Sequence, residues 1–260
     1  MLAAVPTARS VFIEDLTWPE VRAAIDKGAT TAIFYAGSTE QNGPHLAIGK
    51  HNAVARYVAR RLAERLGRTL VYPVLPFAPT GDARTKSGHM RFPGSMSLAT
   101  ATYVAVAREV AESARAAGFR TVLIMADHGD GQDALGALAR ELDAAWSPDG
   151  VRVFHIGDLY AKTLEAETAW LKKRGLEPGG HGGLADTAVL MAIDEVARKG
   201  SGGGLVRRSE IGRASADTGV DGNPRGATAA IGRALIDLKV EAALRQIRSL
   251  LPANAGTPSR

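Results

Sequence analysis

Four short apolar runs, separated by stretches with helical spacing, constrain this chain more than any other feature. They are Thr31 to Ala36 (TAIFYA), Thr69 to Leu75 (TLVYPVL), Thr121 to Ala126 (TVLIMA) and Val151 to Ile156 (VRVFHI). Runs this short and this apolar read as strands buried on both faces. Strands that alternate with helices build a largely parallel sheet covered on both sides, with right-handed crossovers. The expected fold class is therefore α/β. At 260 residues the chain can bury a sizeable core, and a single domain over 1–260 is expected. Residues 1–10 read as an unstructured lead and 252–260 (PANAGTPSR) as a flexible tail.

The helical stretches carry their own punctuation. Thr17 and Glu20 form a T-x-x-E capping box with Pro19 in the first turn, so a helix runs from Trp18 to Lys27 and ends at Gly28. In 52–66, Val54, Val58, Leu62 and Leu66 recur at four-residue steps and mark the buried stripe, with Gly67 closing it. Residues 100–117 are alanine-rich and stop at Gly118, and Leu135, Leu138, Leu142 and Trp146 give 133–146 an apolar face. Further helices are expected over 160–174, 184–198 and about 228–251. Pro73 marks an end or an edge within the second strand. Residues 199–204 (KGSGGG) read as a flexible loop.

Composition excludes several classes. There is no cysteine, hence no disulfide framework, cysteine nucleophile or thiolate zinc site; a metal would have to use His, Asp and Glu. The net charge is +5, from 32 basic and 27 acidic residues, but the basic residues are dispersed and aromatics are 5%, so no nucleic acid is expected as a partner. No apolar stretch is long enough to span a bilayer, and MLAAVPTARS lacks the pattern of a secretory leader. A cytoplasmic protein with a small-molecule substrate is the expectation. No G-x-S-x-G elbow, P-loop or H-E-x-x-H occurs.

Polar side chains concentrate instead in three loops. The first, Gly37 to His51 (GSTEQNGPHLAIGKH), follows the first strand. The second, Asp127-His128-Gly129-Asp130-Gly131-Gln132, follows the third. The last, Gly179-Gly180-His181-Gly182-Gly183, opens a helix that contains Asp186. In a parallel sheet the loops after strands leave on one side, so Glu40, His51, Asp127, His128 and Asp130 can converge. Two readings fit such a set: a site for Zn²⁺, Mn²⁺ or Fe²⁺, or a group of charge pairs and loop caps. The long connection 76–97 carries His89, Arg91, Phe92 and Pro93, a mix suited to a binding surface. His155, inside a strand, reads as a packed core histidine.

The first loop resembles the leading signature of the creatininase (creatinine amidohydrolase) family, G-S/T-x-E-Q-H-G-P-H-L-P followed by T-D. It matches at Gly37, Glu40, Gln41, Gly43, Pro44, His45 and Leu46. It departs at Asn42, where the family has a metal-binding His, and at His51, where it has a bridging Asp. Ala126 to Asp130 is similar to the family's N-G-H-G-G-N or G-H-x-E segment, and His89 with Phe92-Pro93-Gly94-Ser95 to its H and F-P-G-T. His181 to Thr187 is similar to H-A-G-x-x-E-T with Asp186 for Glu, and Gly219 to Thr228 to G-V-x-G-D-P-x-x-A-T. The likeness spans about 12–250.

The resemblance implies a three-layer α/β/α sandwich with a mostly parallel central sheet, and a homo-oligomer, commonly a hexamer. It implies a metal-dependent hydrolase that cleaves a C–N amide bond of a small molecule with a metal-activated water. The alternative is a degenerate member that binds a small molecule or joins an acid to an amine without metal hydrolysis. Asn42 and His51 both weaken a second metal position. The implied set is one divalent transition metal (Zn, Mn or Fe) per chain at Glu40, His51 and His128. His181 and Asp130 are then the catalytic acid–base pair, with Asn42, His45, His89, Asp127 and Asp186 on the substrate side.

Overall fold

The computed structural model describes residues 10–198 and 204–251. The lead before residue 10, the tail from 252 and the expected loop 199–204, except Gly204, lie outside the described residues. The elements in chain order are α1 (Trp18–Asp26), β1 (Thr31–Ala36), α2 (Lys50–Leu66), β2 (Thr69–Val71), α3 (Thr100–Ala117), β3 (Thr121–Ala126), α4 (Gln132–Trp146), β4 (Arg152–His155), α5 (Ala161–Lys172), α6 (Leu184–Arg198) and α7 (Ala229–Leu250). The four strands form one sheet in the order β2-β1-β3-β4, every pair parallel.

β1, β2 and β3 are buried along both faces, as their unbroken apolar runs require, while β4 at the sheet edge is buried only in part. Ile33, Tyr35, Leu123 and Met125 point into a core shared with α2, α5, α6 and α7. Their neighbours Ala32, Phe34, Val122 and Ile124 point into the opposite core, shared with α3 and α4 and flanked by α1. Helices thus cover both faces, and the α/β/α layering expected from the sequence is present.

Two boundaries that bear on the site differ from the sequence reading. β2 stops at Val71, because Pro73 has no N–H to continue the ladder; Leu75 recovers one bridge to Ala36. α2 begins at Lys50 rather than 52: Gly49 is its N-cap, and the Lys50 N–H bonds to Ala47 O. His51 is therefore a first-turn helical residue and not a loop residue. The capping box at α1 is made chiefly by Glu20, whose carboxylate accepts the Thr17 N–H at 2.7 Å.

The strand order reverses at β1, whose neighbours are β2 and β3. Ligands of open parallel sheets bind where this reversal parts the loops beyond the strand C-termini. β1 and β3 run in register to their last residues, Ala36 opposite Ala126, and Asp127 N–H bonds to Ala36 O at 2.9 Å. The first and second polar loops therefore leave the sheet side by side.

α6 and α7 touch closely at Gly232, where an added Cβ would lie 1.9 Å from Ala188 O. Gly to Ala inside a helix normally gains about 1 kcal/mol. Here the clash is with backbone, and overpacking of this kind costs about 1–3 kcal/mol. Gly232→Ala should therefore lower the Tm, by about 2–4 °C for each kcal/mol of net cost; thermal denaturation followed by circular dichroism checks this.

Candidate functional site

Glu40 is fully buried, three residues past Gly37 at the end of β1. Its charged partners are all imidazoles. His51 Nε2 lies 3.1 Å from Oε1 and His128 Nε2 2.9 Å from Oε2; His89 Nε2 and His181 Nδ1 lie 3.8 and 3.7 Å from Oε1. The Ser38 hydroxyl donates to Oε2 at 2.7 Å. Burial pushes this carboxyl up, but the hydrogen bonds from His128 and His51 outweigh it and hold it far below the usual carboxylate range.

Each imidazole arrives from a different element and is fixed at its second nitrogen. His51 Nδ1 lies 2.7 Å from Asp127 Oδ2. Burial and Lys50 lower the His51 pKa, yet its two carboxylate partners raise it overall. His128 Nδ1 accepts the Asp130 N–H at 3.1 Å. His89, from the long connection, has Nδ1 3.2 Å from Gln41 Nε2. His181 Nε2 donates to Gln41 O. That bond places the proton on Nε2 and leaves Nδ1 as the acceptor facing Glu40.

Gln41 is the organiser that sequence reasoning passed over. Its amide donates to Gly219 O at 3.0 Å, its Oε1 accepts the Gly43 N–H at 2.8 Å, and it braces both His89 and His181. Gly219 has φ +82, and a Cβ there would lie 2.2 Å from Gln41 Oε1. Only glycine allows the close approach.

The site has a wet side and a dry side. His89 and His181 are 26% and 22% exposed at the side chain, with ring centroids 4.2 Å apart. His51, His128 and Asp127 are buried. Behind them are two ion pairs: Lys239 with Asp127 at 2.8 Å, both buried, and Lys50 with Asp186, in which the lysine is buried and the aspartate partly exposed. Burial raises Asp127, but Lys239 and His51 lower it further, and it is held below the usual carboxylate range. Asp186 Oδ2 also accepts the Gly182 N–H at 2.9 Å.

Of the residues singled out in the sequence, Glu40, His51, His89, Asp127, His128 and His181 come together. Asp186 lies beside them, bonded to Lys50 and to the Gly182 N–H that follows His181. Asn42 and His45 are fully buried beside them: Asn42 Nδ2 donates to Glu40 O at 2.8 Å, and His45 Nε2 meets Thr187 Oγ1 at 2.8 Å. Asn42 Oδ1 and His45 Nδ1 have no hydrogen-bond partner. Asp130 is exposed, on a cavity of about 700 Å³ lined also by Pro79, Leu98, Gly129 and Tyr160. His155 is partly buried and bonds Gln132 Oε1 at 3.0 Å, while Gln132 Nε2 donates to Ala126 O and His128 O; it braces the second loop from behind.

Glu40, His89 and His128 each offer a donor atom within 4.8 Å of the other two. Two imidazoles and a carboxylate are a donor set of catalytic zinc sites, and a buried carboxylate balanced only by imidazoles suits a cation.

The model of the creatininase family, described as creatinine amidohydrolase, matches residues 14–247. The chain belongs to the creatininase family. It is 26% identical over 197 residues to a creatinine amidohydrolase of Pseudomonas putida, covering 72% of this chain and 73% of that protein. It is 28% identical over 241 residues to a mycofactocin precursor peptide peptidase of Mycobacterium tuberculosis, covering 85% of each. A crystal structure of creatinine amidohydrolase (creatininase) superposes with a TM-score of 0.72 at 24% identity, over 95% of this chain and 100% of that one. Creatininases described as Mn and as Zn-Zn type superpose with TM-scores of 0.71 and 0.70. The chain is thus a creatininase-family hydrolase with the fold of that family. Among the described residues, no helix is long and apolar enough to cross a membrane.

Glu167, on α5, is a further carboxyl among these charges. Burial pushes it up to about 7, against Lys239 and Lys50 and with Asp186 and Asp127. Below its ordinary value of 4.5 both folded and unfolded forms are protonated and Glu167 is neutral to stability. As pH rises towards 7 only the unfolded form releases its proton, so folding loses stability across that window. Glu167→Gln should therefore raise the Tm at pH 8 and leave it nearly unchanged at pH 4. Equal shifts at both pH values would contradict this assignment.

Proposed function

We propose that this creatininase-family member cleaves a C–N amide bond of a small molecule with water, using one divalent transition metal (Zn²⁺, Mn²⁺ or Fe²⁺). The observation that carries this reading is the convergence of Glu40, His89 and His128 on one point. These three residues would hold the metal. His51, expected from the sequence as the third ligand, lies between the carboxylates of Glu40 and Asp127, and in this reading it orients Glu40. Asn42 supports one metal rather than two, because its amide N–H₂ is committed to Glu40 O. The names of the relatives, an amidohydrolase and a peptide peptidase, both denote amide hydrolysis.

When bound, the metal supplies Lewis acidity, lowering the pKa of water towards about 7 and polarising a carbonyl. The chain's own residues supply the rest. The substrate approaches from the partly exposed His89 and His181 side, since His51, His128 and Asp127 on the opposite side are buried. Burial, with Lys50 next, pushes His181 down to about 4, so it is neutral at pH 7. Its Nδ1 accepts a proton from the attacking water and returns it to the leaving nitrogen as the C–N bond breaks. One imidazole then serves as base and acid in turn, whereas the sequence suggested Asp130 for the first step. Asp130 holds His128 through its backbone N–H.

The experiment is metal titration of the purified protein and its variants. Glu40→Gln and His128→Ala should abolish Zn²⁺ or Mn²⁺ binding, and His89→Ala should weaken it more than His51→Ala does. The reverse order would return the third ligand to His51, and a wild-type protein that takes up no metal would support a non-hydrolytic relative instead. His181→Ala should keep its metal and lose about 10²–10⁴-fold in turnover. By its resemblance the protein is also read as a cytoplasmic homo-oligomer, hexameric in solution; a sedimentation coefficient of a monomer would overturn that.

A further inference from the structure

Helix α7 presents a buried face made of Leu235, Ile236, Val240, Ala243, Leu244 and Ile247. Lys239 falls on that face and is 9% exposed. A lysine ammonium is almost never buried without a partner, because desolvating the charge is costly. Its partner is Asp127, itself 5% exposed, across 112 residues of sequence.

The contact continues past that pair. Lys239 Nζ donates to Asp127 Oδ1 at 2.8 Å, and Tyr35 OH approaches the same oxygen at 3.5 Å. The other oxygen, Oδ2, lies 2.7 Å from His51 Nδ1. His51 Nε2 then lies 3.1 Å from Glu40 Oε1. Four side chains from α7, the loop after β3, α2 and the loop after β1 form one line ending on the buried carboxylate.

Stability alone gives little reason for such a pair. A well-packed apolar pair of similar volume is often as stable or more so. What the lysine does supply is direction. With Oδ1 held by the ammonium, the carboxylate plane of Asp127 is fixed and Oδ2 remains for one donor only, the His51 Nδ1–H. That bond fixes the ring orientation of His51, whose Nε2 then faces Glu40, much as carboxylates orient histidines at metal centres.

We propose that Lys239 is a positioning residue of the amide-cleaving site: through Asp127 it fixes the ring of His51, and through His51 the orientation of Glu40. This rests on the metal-dependent reading above.

The test uses the full chain, with Lys239→Met, Asp127→Asn and the double variant. One readout is Mn²⁺ affinity by calorimetric titration. The other is the downfield proton NMR resonance of the His51 Nδ1–H, identified by its absence in His51→Gln. Lys239→Met should weaken Mn²⁺ binding about 10–100-fold, the usual effect of removing an outer partner of a metal site, and should abolish the resonance. The double variant should bind Mn²⁺ as Asp127→Asn does, since the lysine acts only through the aspartate. Mn²⁺ affinity in Lys239→Met within about threefold of wild type, with the resonance kept, overturns the proposal; so does a double variant whose loss is the product of the two single losses. If Lys239→Met does not fold, the double variant, which removes both buried charges together, is compared with Asp127→Asn alone. Equal affinity supports the route through Asp127, and a further tenfold loss overturns it. If the wild type takes up no Mn²⁺, the metal reading fails separately, and the resonance in Lys239→Met decides the positioning role: lost, it stands; kept, it falls.

Discussion

A carboxylate with no access to water is the constraint around which this molecule is arranged. Glu40 is completely buried, yet its pKa lies far below the ordinary range, so its negative charge must be offset nearby. No arginine or lysine among the described residues pairs with it. Two imidazoles offset it by hydrogen bonds, His51 from α2 and His128 from the loop after β3, while His89 from the connection before α3 and His181 from the turn before α6 stand 3.8 and 3.7 Å away. An imidazole can surrender its proton to a cation, and an ammonium at the same place would repel one. The choice of histidine keeps the balance of charge exchangeable, and that exchangeability separates a metal-ready site from a permanent ion pair.

The permanent pairs stand one layer further out. Lys239 and Lys50 are both buried, and losing Asp127 or Asp186 would leave either ammonium uncompensated. Glu167 lies among these charges, and burial, against Lys239, pushes its carboxyl up to about 7. The outer layer therefore has little freedom to rearrange, and it restrains the inner one. His89 and His181, on the open side, are held by Gln41 and each other's ring and stand further from Glu40 than His51 and His128 do, so adjustment to a substrate falls to them.

Much of this was legible in the sequence, and the limits have identifiable causes. The apolar runs announced the strands because a strand buried on both faces has no polar alternation to confuse with a helix. The polar loops after β1 and β3 announced the site because parallel strands deliver such loops to one side. Strand ends and helix starts were less readable: Pro73 shortened β2, and Lys50 and His51 were drawn into α2 by a Gly49 cap with no side-chain signal. His89 was recognised as part of a binding surface, but its place beside His128 depends on how a 22-residue connection folds back, which no spacing encodes. Gln41 was visible only as a match to a motif. Lys239 did leave a trace, a lone cation on the apolar face of the last helix between Ile236 and Ala243. A charge at a core position of a 3.6-residue repeat is a request for a buried partner.

The departures at positions 42 and 51 are coherent when taken together. A bridging carboxylate can give one oxygen to each of two cations. A neutral imidazole has one in-plane lone pair, on one nitrogen, and an N–H on the other, and the two point away from each other. In this chain His51 has already committed Nδ1 to Asp127, so only Nε2 faces the inner site. Asn42 has turned its amide to Glu40 O and offers no nitrogen lone pair at all. Neither change alone would remove a second cation position, since water can complete a shell that lacks one ligand. Both at once remove the bridge and the terminal nitrogen, and Lys239 adds a fixed positive charge 2.8 Å from Asp127 on the same side. In the one-metal reading proposed above, a second divalent ion there would meet an ammonium behind the aspartate and an imidazole already hydrogen-bonded to it, and the single cation of that proposal faces His89 and His128.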